Sequence, residues 1–280
     1  MATSTMISRP IPSTGEAIPV IGLGTARVFD VGADEAARRP LHEVVQLLLD
    51  SGGRIIDTSP MYGRAEAMTG DLLAEMEARP RAFLATKVWT SGRERGIEQM
   101  RRSAQLLRTD VIDLIQIHNL MDWRTHLATL RDMKASGTVR YIGITHYTTG
   151  ALPELARILE AEPGIDFVQF GYSLATRDAE LRLLPTAAAR GVAAIANQPF
   201  EEGDMFRSVR GRPLPEWARE FDCTSWGQLY LKYMLAEPAL TCVIPATANP
   251  AHMKDDVAAG FSRLPDPRQR QQIRQLWDSL

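Results

Sequence analysis

Eight short apolar runs, separated by amphipathic stretches, constrain this chain more than any other feature of its sequence. They are IPVIGLGT (18–25), RIIDTS (54–59), FLATKVW (83–89), VIDLIQIHN (111–119), VRYIGITH (139–146), FVQFGYS (167–173), VAAIANQPF (192–200) and TCVIPAT (241–247). Most are rich in β-branched residues and bounded by turn formers, as strands buried on both faces of a parallel sheet are. The stretches between them, RGIEQMRRSAQLLRTD among them, carry apolar residues at three- and four-residue spacing, and EAARRPLHEVVQLLLDSGG stops on glycines. Strand and helix alternating in this way predict an α/β fold, a (β/α)8 TIM barrel, with residues 1–280 forming a single domain. An open doubly wound sheet would carry G-x-G-x-x-G after its first strand; GLGTARVF stands there, without the third glycine. MISRPIPSTGEAIPVIG places a Ser-Thr-Gly-Glu turn between two short extended pieces and predicts an N-terminal β-hairpin capping one end of the barrel. SRLPDPRQRQQIRQLWDSL predicts a polar loop and a final surface helix.

Composition narrows the function classes. A net charge of −2 gives no electrostatic reason to expect nucleic acid or an anionic membrane as a partner. No apolar run approaches a membrane span, and the opening residues lack a basic region followed by an apolar one. Two cysteines, Cys223 and Cys242, make no disulfide framework and sit beside no metal-ligand pattern, so a reducing, cytoplasmic setting without a structural metal is expected.

Barrel strands deliver their reactive groups at their C-terminal ends. Asp57, Lys87 and His118 stand at or near the ends of three consecutive runs, and Tyr62 lies in the loop directly after Asp57. Neighbouring strands are about 4.8 Å apart, so these side chains can meet in one small volume. A buried Asp57 needs a cation, and Lys87 is the near one. Lys87 beside Tyr62 is expected to pull the phenol below its free pKa and make it a general acid toward a carbonyl oxygen. His118 is a second donor that orients the same oxygen. Such a site lacks an electron source of its own, and hydride from a nicotinamide fills the gap.

DTSPMYG, ATKVW and DLIQIHN together resemble the four-residue catalytic signature of the aldo-keto reductases. GLGT, VRYIGITH, FVQFGYS and VIPATANP resemble the same family, so the likeness spans residues 18–256. The resemblance implies reduction of small aldehydes or ketones by a monomer or weak homo-oligomer, with NADP(H) favoured and NAD(H) the alternative. It implies that Gln169, Thr145 and His146 hold the nicotinamide carboxamide, with His146 where the family usually has Asn. It also implies that Tyr172 stacks on the nicotinamide ring. Pro199 and Phe200 fall in the pyrophosphate loop. Ala246, Thr247, Asn249, His252 and Asp255 fall at the adenosine end, where Ala246 and His252 replace the Lys and Arg common in NADPH-selective members. Lys254, Arg207, Arg210 and Arg212 are the nearby replacements for that charge. Met61, Trp89, Asn119 and Trp123 are the expected substrate wall, with Trp226 a further candidate.

Each residue alone has a plainer explanation. Asp57 and Lys87 would read as a structural ion pair, Tyr62 as a surface aromatic and His118 as a satisfied core histidine. Their joint placement favours catalysis. His42, His126 and His252 are assigned to surface or helix positions, and Gln116 to barrel packing, where its amide must find a hydrogen bond. Two other functions use the same fold: a cofactor-binding regulatory subunit with little turnover, and a sugar or alcohol dehydrogenase running in the oxidative direction.

Overall fold

The computed structural model describes residues 5–32 and 34–280; the reading of the chain's opening falls partly on residues 1–4, outside the described residues. Strands β1 (Ser8–Pro10) and β2 (Ala17–Pro19) pair antiparallel, with Ser8 opposite Pro19, and form the expected hairpin. The turn closes through Ile11 N–H to Glu16 O at 2.8 Å, and Gly15 takes φ 77°, a conformation that suits glycine.

The barrel strands follow: β3 (Leu23–Gly24), β4 (Ile55–Asp57), β5 (Phe83–Val88), β6 (Ile112–His118), β7 (Val139–His146), β8 (Phe167–Gly171), β9 (Ala193–Asn197) and β10 (Cys242–Val243). All pair parallel with their neighbours in chain order. Bridges Ile21–Val243 and Gly24–Ala246 join the two ends, so the sheet closes. The helices are α1 (Glu35–Asp50), α2 (Ala65–Glu75), α3 (Arg93–Leu106), α4 (Trp123–Ala135), α5 (Leu152–Ala161), α6 (Leu183–Arg190), α7 (Asp204–Ser208), α8 (Trp226–Leu235), α9 (Pro250–Ala258) and α10 (Pro267–Asp278). No helix among the described residues is long and apolar enough to cross a membrane.

The first and last barrel strands are only two residues long, far shorter than the apolar runs that announced them. The seam explains the difference. A Cβ on Gly22 would sit 2.9 Å from Ile55 Cβ, so the chain passes β4 too closely for a side chain. Pro245 has no N–H to extend the ladder, although its carbonyl accepts from Gly24 at 2.8 Å.

Side chains along each strand alternate between the barrel interior and the helical shell. Ile55, Phe83, Ala85, Leu114, Tyr141, Phe167, Ala193 and Ile195 form an apolar interior layer with Ile11 and Ile18 of the hairpin. The hairpin thus plugs the N-terminal end. Two residues further along the same strands the inward positions turn polar: Asp57 after Ile55, Lys87 after Ala85, Gln116 and then His118 after Leu114, Gln169 after Phe167. The fold therefore stacks a polar layer on an apolar one, at the end where barrel loops can reach it. Phe83 holds the apolar layer together, with its ring centroid 5.8 Å from Tyr141 and 6.0 Å from Phe167. Phe83→Ala is expected to cost about 3–5 kcal/mol through lost contacts and a residual cavity, read as a fall in the urea midpoint.

Candidate active site

The polar layer centres on a buried ion pair. Asp57 and Lys87 are 2% and 1% exposed. Lys87 Nζ donates to Asp57 Oδ2 at 2.7 Å and to the Thr58 carbonyl at 2.8 Å. Two amides complete the shell of Asp57. Gln116 Nε2 donates to Gln169 Oε1 at 2.6 Å and lies 3.4 Å from Asp57 Oδ1, and Gln169 Nε2 lies 3.4 Å from Asp57 Oδ2. The barrel register sets this arrangement, with Lys87 opposite Gln116 and Thr145 opposite Gln169.

Tyr62 reaches the layer from a tightly held turn. Its N–H donates to Ser59 O at 3.0 Å, and Met61 N–H donates to Ser59 Oγ at 3.2 Å. On the other side Gly63 has φ 60° and packs where a Cβ would collide with the Asp30 carboxylate. Arg64 N–H donates to Asp30 Oδ1 at 3.0 Å. The phenol ring lies 5.1 Å from Lys87 Nζ and meets the His118 ring edge-on at 6.1 Å. Asp57, Tyr62, Lys87 and His118 are thus gathered at one point of the rim.

Burial and charge set the protonation states. Burial works to lower the Lys87 ammonium, but Asp57 and Tyr62 outweigh it and hold its pKa above the ordinary value. Burial raises the Tyr62 phenol, and Lys87 only partly opposes it. This corrects the sequence expectation of a lowered phenol: that reading weighed the ammonium and not the dehydration of the phenolate. Burial, then Lys87 and His146, bring His118 down to about 3, so its imidazole is neutral at physiological pH.

The expected cofactor residues divide. Thr145 is buried beside Gln169. His146 is half-buried, accepts from Thr148 N–H at 3.2 Å and stacks on Tyr147. Tyr172 does not come to the mouth. Its ring has no exposed surface, its hydroxyl donates to Glu180 at 2.7 Å, and Arg270 of α10 donates to that hydroxyl at 2.8 Å. Pro199 is buried, and Phe200 is half-buried against Phe206. Ala246 and His252 are exposed. Asn249 caps α9 by accepting from Ala251 N–H at 2.9 Å, and Thr247 Oγ1 accepts from Asn249 N–H at 3.0 Å. Asp255 accepts from Ser225 at 2.6 Å and Gln228 at 2.7 Å, so it braces α8. Of the candidate cations, Arg207 is paired with Asp204 at 2.6 Å.

Among the expected substrate residues, Met61 and Trp89 are 39% and 38% exposed. Asn119 has φ 53° and a buried Oδ1 without a partner among the described residues. Trp123 is half-buried under the Arg124 guanidinium, 4.3 Å from its ring. Trp226 donates to Arg212 O at 3.0 Å and packs on Tyr230, so it supports the long loop after β9. Sequence reasoning missed Ser59, Tyr147 and the Arg27–Glu202 pair, 2.5 Å, which links the loops after β3 and β9 across the mouth. Ser59 was legible in principle: a hydroxyl three residues before the turn tyrosine is a local capping signal.

A family model described as Aldo/keto reductase family matches residues 20–278. The chain belongs to the aldo/keto reductase family. Its similarity to methylglyoxal reductase YeaE of Escherichia coli (strain K12) is 25% identity over 252 residues, covering 86% of this chain and 85% of that protein. Glyoxal reductase of Bacillus subtilis (strain 168) is 26% identical over 195 residues, 68% of this chain and 67% of that one. An aldo-keto reductase of Bacillus halodurans, solved in its holo form, superposes with a TM-score of 0.77 at 25% identity, covering 97% of this chain and 96% of that one. A Klebsiella pneumoniae aldo-keto reductase solved with NADPH shares the fold, with a TM-score of 0.80 at 22% identity over 98% of this chain and 95% of that one.

Two measurements check the electrostatics of this cluster. Lys87→Met leaves Asp57 buried without its cation and is expected to destabilise by about 3–5 kcal/mol, with Asp57→Asn in the same chain restoring part of the urea midpoint. His118 has a folded pKa of about 3 against an unfolded value of 6.5. The unfolded chain therefore binds the extra proton between those values, so stability is full above pH 6.5 and lost as pH falls toward 3. His118→Gln is expected to flatten that part of a stability–pH curve.

Proposed function

We propose that this chain, acting over its whole length as one barrel unit, is an NADP(H)-dependent reductase of small aldehydes and ketones. NAD(H) is the alternative cofactor. The observation that carries the reading is the meeting of Tyr62, Lys87 and His118 over Asp57, with Lys87 Nζ 2.7 Å from the carboxylate. The chemistry a reduced nicotinamide dinucleotide supplies when bound is hydride for the carbonyl carbon.

The residues present suit such a molecule. Gln116 Oε1, Asn119 Oδ1 and Asn197 Oδ1 are buried acceptors without donors among the described residues, at the strand ends that face the mouth. A carboxamide and ribose hydroxyls bring N–H and O–H donors. Thr145, His146 and Gln169 would hold the nicotinamide end, Gln169 by exchanging one of its present partners. Pro199 and Phe200 would border the pyrophosphate, and Thr247, Asn249 and His252 at the head of α9 would hold the adenosine end. NADPH in the Klebsiella relative supports the choice of cofactor.

Tyr62 gives its proton to the carbonyl oxygen as negative charge develops there. The Lys87 ammonium stabilises the phenolate left behind, and Asp57 keeps that ammonium charged and in place. His118, neutral, donates a hydrogen bond to the same oxygen. A buried phenol holds its proton at neutral pH, which favours reduction; the oxidative direction needs the phenolate. Met61, Trp89, Asn119 and Trp123 form an apolar and amide-lined approach. The relatives named methylglyoxal and glyoxal reductases make 2-oxoaldehydes the first substrates to try.

Tyr62→Phe removes the proton and little volume. It is expected to lower kcat for methylglyoxal by about 10²–10⁴-fold, while NADPH binding, followed by quenching of tryptophan fluorescence, is retained. Full turnover in that variant would end the assignment.

A further inference from the structure

His118 presents a problem of tautomer. Its imidazole is neutral and so carries one N–H, and only an imidazole protonated on Nε2 can donate from that atom. Nδ1 lies 3.2 Å from Ser59 Oγ. Nε2 has no hydrogen-bond partner among the described residues and is not among the sealed-off polar atoms, so it opens to the mouth.

We propose that Ser59 is a positioning residue that fixes the His118 tautomer: its hydroxyl donates to Nδ1 and leaves the imidazole proton on Nε2, facing the carbonyl oxygen. The inference rests on the reductase reading for what that proton does. The hydrogen-bond inventory carries it for where the proton is.

Ser59 is fully buried. Its oxygen already accepts from Met61 N–H at 3.2 Å, so the hydroxyl proton must find an acceptor. Nδ1 is the acceptor beside it. In the opposite tautomer Nδ1–H would donate to Ser59, and the serine proton would be buried without a partner among the described residues, which is unfavourable. The same serine shapes the turn of Tyr62, whose N–H donates to Ser59 O at 3.0 Å. One residue thereby touches both groups, the turn of the phenol through its backbone carbonyl and the imidazole through its hydroxyl. The other charged or titratable groups that face His118 are Lys87, Tyr62 and His146, and none of them hydrogen-bonds Nδ1.

The test is imidazole nitrogen NMR on ¹⁵N-histidine protein at pH 7.5, with the His118 signals identified by their loss in His118→Gln. The wild type is expected to show the Nε2–H pattern. Ser59→Ala is expected to mix the two tautomers and lower kcat about 10-fold, with KM and NADPH binding little changed; Ser59→Thr restores both tautomer and rate. An Nδ1–H pattern in the wild type overturns the proposal, as does an unchanged pattern in a folded Ser59→Ala. Should Ser59→Ala fail to fold, the wild-type pattern alone decides. The readout needs no turnover, so it stands apart from the Tyr62→Phe test of the reductase reading.

Discussion

The contact between Lys87 and Asp57 organises everything above the apolar layer of the barrel. Neither ion is tolerable there alone, because water is excluded and desolvation costs several kcal/mol per charge. Joined at 2.7 Å, and with Gln116, Gln169 and the Thr58 carbonyl completing their shells, they become a fixed dipole at the rim. Tyr62 and His118 take their properties from it. The phenol has an ammonium at one face, and the imidazole is denied a proton first by burial and then by that same ammonium. Strand register, not loop conformation, places three of the four groups, which gives the site the stiffness that acid–base chemistry needs.

Much of this was legible in the sequence because barrels have simple rules. β-branched runs at regular intervals give strands, and period two tells which residues face inward. Asp57, Lys87, Gln116 and His118 could be placed on that basis. The rule weakens beyond a strand end. Tyr172 stands one residue past β8, and there the loop and Arg270, 98 positions away, decide where the ring goes. No local pattern announces such a distant partner. The length of β3 was also hidden, since it depends on how closely Gly22 passes Ile55.

One misreading, and one correct placement whose depth was not foreseen, share a cause. The phenol of Tyr62 was expected to shift downward because its cation was visible in the sequence and its burial was not. His126 was assigned to a surface or helix position. It is on α4 but fully buried, with its Nε2 2.6 Å from Thr90 O. Sequence reports neighbours along a helix or strand well, and the depth of water exclusion poorly. Buried polar groups elsewhere follow the same logic: Lys232, also fully buried, donates to the carbonyls of Phe221, Phe261 and Arg263 and ties two distant loops together.

The seam between β3 and β10 has a consequence for how the molecule comes into being. Gly22 N–H meets Val243 O at 2.9 Å, so the first stave waits for the last. During synthesis, every earlier strand can pair with its predecessor as it emerges from the ribosome. Two raw sheet edges nevertheless persist until residues near 246 are free, and such edges invite pairing with other chains. A chain halted before that point would be an open, sticky half-cylinder. Asp57 stands opposite Gly24 of β3, one strand from this seam, so late closure of the barrel also completes the surroundings of the polar rim.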